Sequence, residues 1–268
     1  VRVSILGSGS RGNAVVFESA GSAVMVDAGF GVRSLAARLR AAHLSPHSVE
    51  LLVLTHDHLD HVYGAGQAAA KWGWPVAGTA GTLEAATLLG TRVHLVVGAA
   101  AGIQSGDLTV SSFRVAHDAA DPVAVLVESR SSGARAGLLY DLGETSAALE
   151  ERFRELDILL LEANHDTAML WGGRYPPSVK KRIAGRTGHL SNDQAAAFAA
   201  AVAHKGLKRV VLCHVSQNNN TPPKAWAAVS QALRRTTFRG SVGLARQDGV
   251  TAVRLGGRLG SEQLSLGI

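Results

Sequence analysis

Short apolar runs bounded by glycine or serine open the chain. Val1–Leu6, Ala14–Phe17 and Ala23–Val26 predict three consecutive antiparallel strands. A helical period follows at Leu35 and Leu39 among alanines, and Leu51–Leu54 has the length of a buried strand. Strand and helix then alternate. Further strands are predicted at Val93–Val97, Leu108–Val115, Val123–Val127, Ala136–Tyr140, Ile158–Leu161 and Val210–Cys213. Helices are predicted at Gly64–Trp72, Thr79–Leu88, Thr145–Arg154, Ser178–Ile183, Asn192–His204 and Pro222–Arg235. No linker, repeat or low-complexity block interrupts the series, so residues 1–268 read as one α/β domain, two face-to-face sheets with helices outside. The Gly-, Leu- and Ser-rich tail after Arg254 is expected to be loosely held.

Composition narrows the class. No stretch approaches the roughly 20 apolar residues that span a bilayer, and Val1 opens a strand-like run, so the expectation is a soluble cytoplasmic protein with no membrane contact. A single cysteine, Cys213, excludes an internal disulfide and any multi-thiolate zinc site, leaving nitrogen and oxygen to hold a metal. The net charge of +6 suits a polyanionic partner without requiring one.

Directly after the strand Leu51–Leu54 comes Thr55-His56-Asp57-His58-Leu59-Asp60-His61. A strand end fixes the first imidazole, and the following turn lets His58, Asp60 and His61 point back to a shared centre. Imidazole and carboxylate suit Zn²⁺ or Mn²⁺, with Fe²⁺ as an alternative, and four such groups are too many for one open catalytic ion. Two divalent metal ions are therefore expected. His117, Asp141 and His214 each follow an apolar run in the same way, as ligands delivered to a sheet edge do. Asp57 is not expected to ligate. Cys213 should point into the core, and His43, His47, His94 and His204 are expected at the surface.

His56, His58, Asp60 and His61 resemble the His-x-His-x-Asp-His signature of the metallo-β-lactamase superfamily. The resemblance implies a four-layer αβ/βα sandwich, one metal on His56, His58 and His117, a second on Asp60, His61 and His214, and Asp141 bridging them. Gly7–Asn13, Val26–Gly29, Val115–Ala120, Glu162–Asp166, Gly173–Pro176, Gly188–Asn192 and His214–Asn220 together resemble the YycJ (WalJ) family, with similarity running from about Val1 to Thr221. That likeness implies a bacterial cytosolic 5′-to-3′ exodeoxyribonuclease linked to mismatch repair, hence DNA and mismatch-repair proteins as partners. One departure stands out: the family's Thr-Asp-Thr-Gly is Tyr140-Asp141-Leu142-Gly143 here, which keeps the ligand and removes a hydroxyl behind it. No long insertion resembles a β-CASP domain, and no arm resembles the tRNA-gripping exosite of ribonuclease Z.

The chemistry suits a phosphodiester. Two divalent ions outweigh the charge of Asp60, Asp141 and a bridging hydroxide, which favours an anionic substrate. Ions about 3.5–4 Å apart make their shared water nucleophilic at neutral pH. The leaving alkoxide calls for a proton donor, with Glu162 and His189 as candidates in a placement similar to ribonuclease Z-like nucleases. Arg174, Tyr175 and Lys181, in the basic stretch Arg174–Arg182, are candidates to track a phosphate backbone or stack a base. Ser8, Ser10, Asn13, His165, Asn192 and Asn219 are neutral groups of the kind that hold phosphate oxygens. The rival reading is a small-molecule ester or thioester hydrolase, glyoxalase II-like or a lactonase, which needs no basic track and no Glu162–His189 pair.

Overall fold

The computed structural model describes residues 1–88, 93–96 and 102–255. β1 (Arg2–Gly7), β2 (Ala14–Ser19) and β3 (Ser22–Val26) form an antiparallel meander, continued in parallel by β4 (Leu51–Val53), β5 (Val76–Gly78) and β6 (Val93–Val96). The second sheet is built from β7 (Ile103–Ser105), β8 (Leu108–Arg114), β9 (Val123–Ser129), β10 (Arg135–Leu139), β11 (Ile158–Glu162), β12 (Arg209–Cys213) and β13 (Ser241–Leu244). It is antiparallel as far as β10 and parallel from there on. β14 (Thr251–Arg254) returns to the first sheet, antiparallel to β1.

The expected four-layer αβ/βα sandwich follows from burial of these strands on both faces. Val3, Val15, Phe17, Val24 and Val26 of the first sheet meet Val125, Val127, Leu138, Leu160 and Val211 of the second. Met25, between Val24 and Val26, faces the opposite way, with Leu35, Leu39, Ala65, Ala68 and Leu83. Those residues come from α1 (Val32–Ala41), α3 (Ala65–Trp72) and α4 (Ala80–Ala85), and α2 (Leu59–Val62), whose Val62 packs against the same cluster, carries part of the ligand motif. Over the second sheet, Leu139, Leu159 and Leu161 meet Leu149, Phe198, Val229 and Leu233. The elements concerned are α5 (Ala147–Arg152), α8 (Asn192–Ala201) and α9 (Pro222–Leu233), while α6 (Thr167–Gly172) and α7 (Pro177–Ile183) lie between β11 and α8 in the chain. Among the described residues no helix is long and apolar enough to cross a membrane.

The element boundaries show where tertiary structure overrides local pattern. β5, β7, β13, β14 and α6 carry too little periodicity to be read in advance; three of these are strands of three or four residues after Pro75, Gly102 and Gly240. Thr79 and Ser146 lie outside their helices as caps, each accepting from the N–H three residues on. The helix expected to reach Leu88 ends at Ala85, and the one expected to reach His204 ends at Ala201. Val97, the side chain of His94 and the tail beyond Leu255 lie outside the described residues.

What the architecture does for function is to bring strand ends together. Asp27 follows β3, Thr55 and His56 follow β4, Tyr140 and Asp141 follow β10, Glu162 ends β11 and His214 follows β12. Replacing the wholly buried Phe17, at the centre of the inner layer, by alanine should lower the unfolding free energy by about 3–5 kcal/mol in denaturant titration.

Candidate metal centre

Three strand-end residues turn sharply into the site. Asp27, Asp141 and His214 have φ of 59°, 55° and 49°, left-handed values that non-glycine residues rarely adopt. The short helix α2 carrying Asp60 packs directly on the turn after Asp27: a Cβ at Gly29 would fall 1.7 Å from the Asp60 carbonyl oxygen. Only glycine fits there. Asn13 seals the approach, its N–H donating to Asp60 O at 2.8 Å.

The sequence-predicted ligands converge. His56, His58 and His117 offer nitrogens within 4.8 Å of one another, as do the ligand atoms of Asp60, His61 and His214, and those of His56, His61 and Asp141. A buried carboxylate selects the tautomers. Asp27 Oδ2 accepts from His61 Nδ1 at 2.7 Å, from Thr55 Oγ1 at 2.7 Å and from the Tyr140 hydroxyl, while Oδ1 accepts from Thr55 N. The Thr55 hydroxyl gives its proton to Asp27, so it accepts from His56 Nδ1, 3.0 Å away. His117 Nδ1 donates to Gly188 O at 3.0 Å, and His58 turns Nε2 to the Asp118 carbonyl at 3.2 Å. What remains facing the centre is Nε2 of His56, His61 and His117 and Nδ1 of His58.

These atoms fit a cation better than they fit one another. His56 Nε2, Asp141 Oδ2 and His214 Nε2 are buried without a hydrogen-bond partner, although Asp141 Oδ2 lies only 2.8 Å from His61 Nε2. Acceptors turned on acceptors in a buried site are costly unless positive charge stands between them. Protons supply part of it in the metal-free protein. Burial works against a charged His61, but Asp141 and Asp27 together raise it well above the usual histidine range. Burial likewise opposes charge on His214, and Asp141 outweighs it. His56 and His117 are pushed down by burial and stay neutral, as ligands must be.

Glu162 lies behind the centre, wholly buried. Its Oε2 faces the N–H groups of Leu142 and Leu190 at 3.2 Å, and its Oε1 faces His189 Nδ1 at 2.7 Å and His214 Nδ1 at 3.2 Å. His189 also lies 3.2 Å from Asp141 Oδ1. Burial lowers its affinity for a proton, but Glu162 and Asp141 reverse the balance and raise it to about 9.

A cavity of about 130 Å³ opens beside His189 and His214, lined by Ser10, Asn164, Tyr175, Ile183, the turn 215–219 and no carboxylate. Of the residues expected to touch substrate, it gathers Ser10, Tyr175 and Asn219. The others lie elsewhere. Ser8 is buried, its Oγ accepting from His214 N at 2.9 Å; Asn13 is buried against Gly9 and His61; the Asn192 amide is paired reciprocally with that of Asn220. His165 is buried with Nδ1 unpartnered, whereas Arg174 and Lys181 are exposed before and on α7.

Asp27 and Asp118 are functional-site residues that the sequence reading left without a role. Asp57 accepts from Ala120 N at 2.8 Å and so braces the loop after His117. Cys213 sits in the inter-sheet core, where burial pushes its thiol up to about 12. His43 and His47 are exposed, but His204 is half-buried and bonded to Leu156 O and Gly206 N. Tyr140 in place of threonine supplies a hydroxyl after all, from the second sheet onto Asp27.

Comparison with known proteins gives the family and the fold. Residues 22–215 match the family model described as the Beta-lactamase superfamily domain. Exodeoxyribonuclease YycJ of Bacillus anthracis is 33% identical over 88% of this chain and 90% of its own. Exodeoxyribonuclease WalJ of Streptococcus pneumoniae is 31% identical over 82% and 83% respectively. Among solved structures, the metallo-beta-lactamase fold protein YhfI from Bacillus subtilis is alike in fold, with a TM-score of 0.70 over 94% of this chain and 99% of its own at 17% identity.

A cation held by His61 and His214 would have to displace their protons. Their raised proton affinity stabilises the metal-free protein below the ordinary histidine range, and this support fades as pH rises through the raised values. The gap in melting temperature between metal-loaded and metal-free protein should therefore widen from pH 6 to pH 8 in calorimetry.

Proposed function

The chain belongs to the metallo-β-lactamase superfamily, in the family of YycJ and WalJ, and from that premise we propose that it is a 5′-to-3′ exodeoxyribonuclease of the cytoplasm, linked to mismatch repair. That it is a metal-dependent hydrolase follows from the family and the cluster of candidate ligands alone. One observation carries the hydrolytic reading: unpartnered buried nitrogens of His56 and His214 and an unpartnered oxygen of Asp141 converge beside a histidine held by a buried glutamate.

In this reading His56, His58 and His117 hold one divalent cation, Asp60, His61 and His214 hold another, and Asp141 serves both. Zn²⁺ or Mn²⁺ suits the donor set, and Fe²⁺ is the alternative. When bound, the pair supplies a Lewis acid for the phosphoryl oxygen and makes water nucleophilic at neutral pH. The chain's own residues do the rest. His189, protonated at neutral pH and anchored through Nδ1, gives its Nε2 proton to the leaving 3′ oxygen. Glu162 stays ionised and positions both His189 and His214, which is a different task from donating the proton itself. Ser10, Tyr175 and Asn219 present neutral donors to the sugar-phosphate in the cavity, with no carboxylate to repel it. Arg174 and Lys181 attract the rest of the strand from the exposed side of the site.

Metal-reconstituted protein assayed on 5′-labelled and 3′-labelled single-stranded and duplex DNA, beside RNA and a thioester, tests the reading through product size. Mononucleotides released from the 5′ end are expected. Hydrolysis of the thioester alone would give the protein to the rival class. His58→Ala and Asp141→Ala should each abolish cleavage while the domain stays folded; wild-type turnover by either, with metal supplied, would refute the ligand assignment. His189→Ala should slow an ordinary DNA diester by about 10²–10⁴-fold and a p-nitrophenyl diester much less. Equal losses on both would remove its role as donor.

A further inference from the structure

Helix α7 spans two sides of the centre. Ile183, its last residue, lines the cavity with His189 and His214, while Arg182 beside it reaches the His58–His117 side, where its Nε donates to Asp118 Oδ2. Asp118 directly follows His117. Its second oxygen lies 3.5 Å from His117 Nε2 and 4.0 Å from His58 Nε2, its carbonyl faces His58 Nε2 at 3.2 Å, and its N–H donates to Thr187 O at 3.0 Å. A backbone anchored at both its polar groups thus carries a carboxylate that spans from the imidazoles to one guanidinium.

The other cations of this stretch are engaged or remote. Arg186 donates through two nitrogens to both oxygens of Glu144 at 2.8 Å, and Lys180 Nζ donates to Trp171 O at 2.8 Å. Arg174 and Lys181 have no ion-pair partner among the described residues, but no contact ties them to the candidate ligands. Arg182 differs from all of these. Only its Nε is engaged among the described residues, its side chain is 65% exposed, and its two terminal nitrogens are left free. An exposed ion pair of this kind stabilises a fold little, so its consequence is positional: the fork is held at one edge with the other edge turned loose.

We infer that Arg182 binds the phosphate adjoining the scissile one on a nucleic-acid strand, with Asp118 as its positioning residue. The inference rests on the phosphodiesterase reading above and adds a subsite to it. A whole carboxylate separates the guanidinium from the nitrogens of His58 and His117, which places the guanidinium beside the centre and not on it. A planar fork with two free N–H₂ groups matches the non-bridging oxygens of a phosphodiester. A small ester with one anionic group has nothing to offer it once that group occupies the centre.

The test compares an oligonucleotide with thymidine 5′-(p-nitrophenyl) phosphate, which carries a single phosphate. Arg182→Ala should raise KM for the oligonucleotide about tenfold more than for the ester, and make log(kcat/KM) against log[salt] shallower by about 0.7–0.9. Arg182→Lys should keep the salt slope and recover part of the affinity. Asp118→Asn should raise KM alone but add nothing on top of Arg182→Ala. Circular dichroism melting establishes that each variant is folded. Equal losses on the two substrates, or an unchanged salt slope, would overturn the assignment. If the wild type hydrolyses neither substrate, the proposed function falls and this subsite with it; wild-type turnover of both, with Arg182→Ala kinetically identical, defeats the subsite alone.

Discussion

A single buried carboxylate ties the two sheets together at the centre. Asp27 follows a strand of the first sheet, accepts from Thr55 and His61 of its own half, and accepts from the Tyr140 hydroxyl of the second. Taking an ionised group out of water is unfavourable by several kcal/mol unless donors replace the lost hydration. Here four hydrogen bonds do so. The same bonds decide which nitrogen of His56 and His61 is left for the centre, so packing of the sandwich and availability of ligands are one constraint and not two.

Glu162 is the counterpart on the second sheet. It holds His189 and His214 with one oxygen and the backbone of Leu142 and Leu190 with the other. The two carboxylates nevertheless have different effects. Asp27 turns Nε2 of each histidine inward, whereas Glu162 keeps a proton on His189 at neutral pH. A centre that needs electron-pair donors on one side and a proton donor on the other has its polarity set from behind by two acids that themselves never meet solvent.

Much of this was legible in the chain, for identifiable reasons. Ligand density between His56 and His61 survives as a linear motif because one loop supplies four donors, and the long apolar runs survive because both faces of the strands are buried. What linear reading lost depends on partners far away. Asp27 lies in a stretch singled out by resemblance, but its task is set by Tyr140, 113 positions later. Ser8 and Asn192 look like exposed phosphate donors until His214 N and Asn220 are found to engage them. The basic stretch was visible as charge, but distant acids decide how its cations are held, Asp118 engaging Arg182 and Glu144 engaging Arg186 just beyond the stretch.

The left-handed turns at Asp27, Asp141 and His214 carry an implication for how this scaffold can change. A side chain in that conformation is disfavoured by about 1–2 kcal/mol relative to glycine, and three such positions cluster where the chemistry is. A screen that rewards heat resistance alone will favour glycine or asparagine at Asp141 and His214 and so accumulate sturdier, inert proteins, whereas at Asp27 the four buried hydrogen bonds outweigh the preference of the turn. Any programme of stabilisation has to hold those corners fixed and seek its gains in the outer helices.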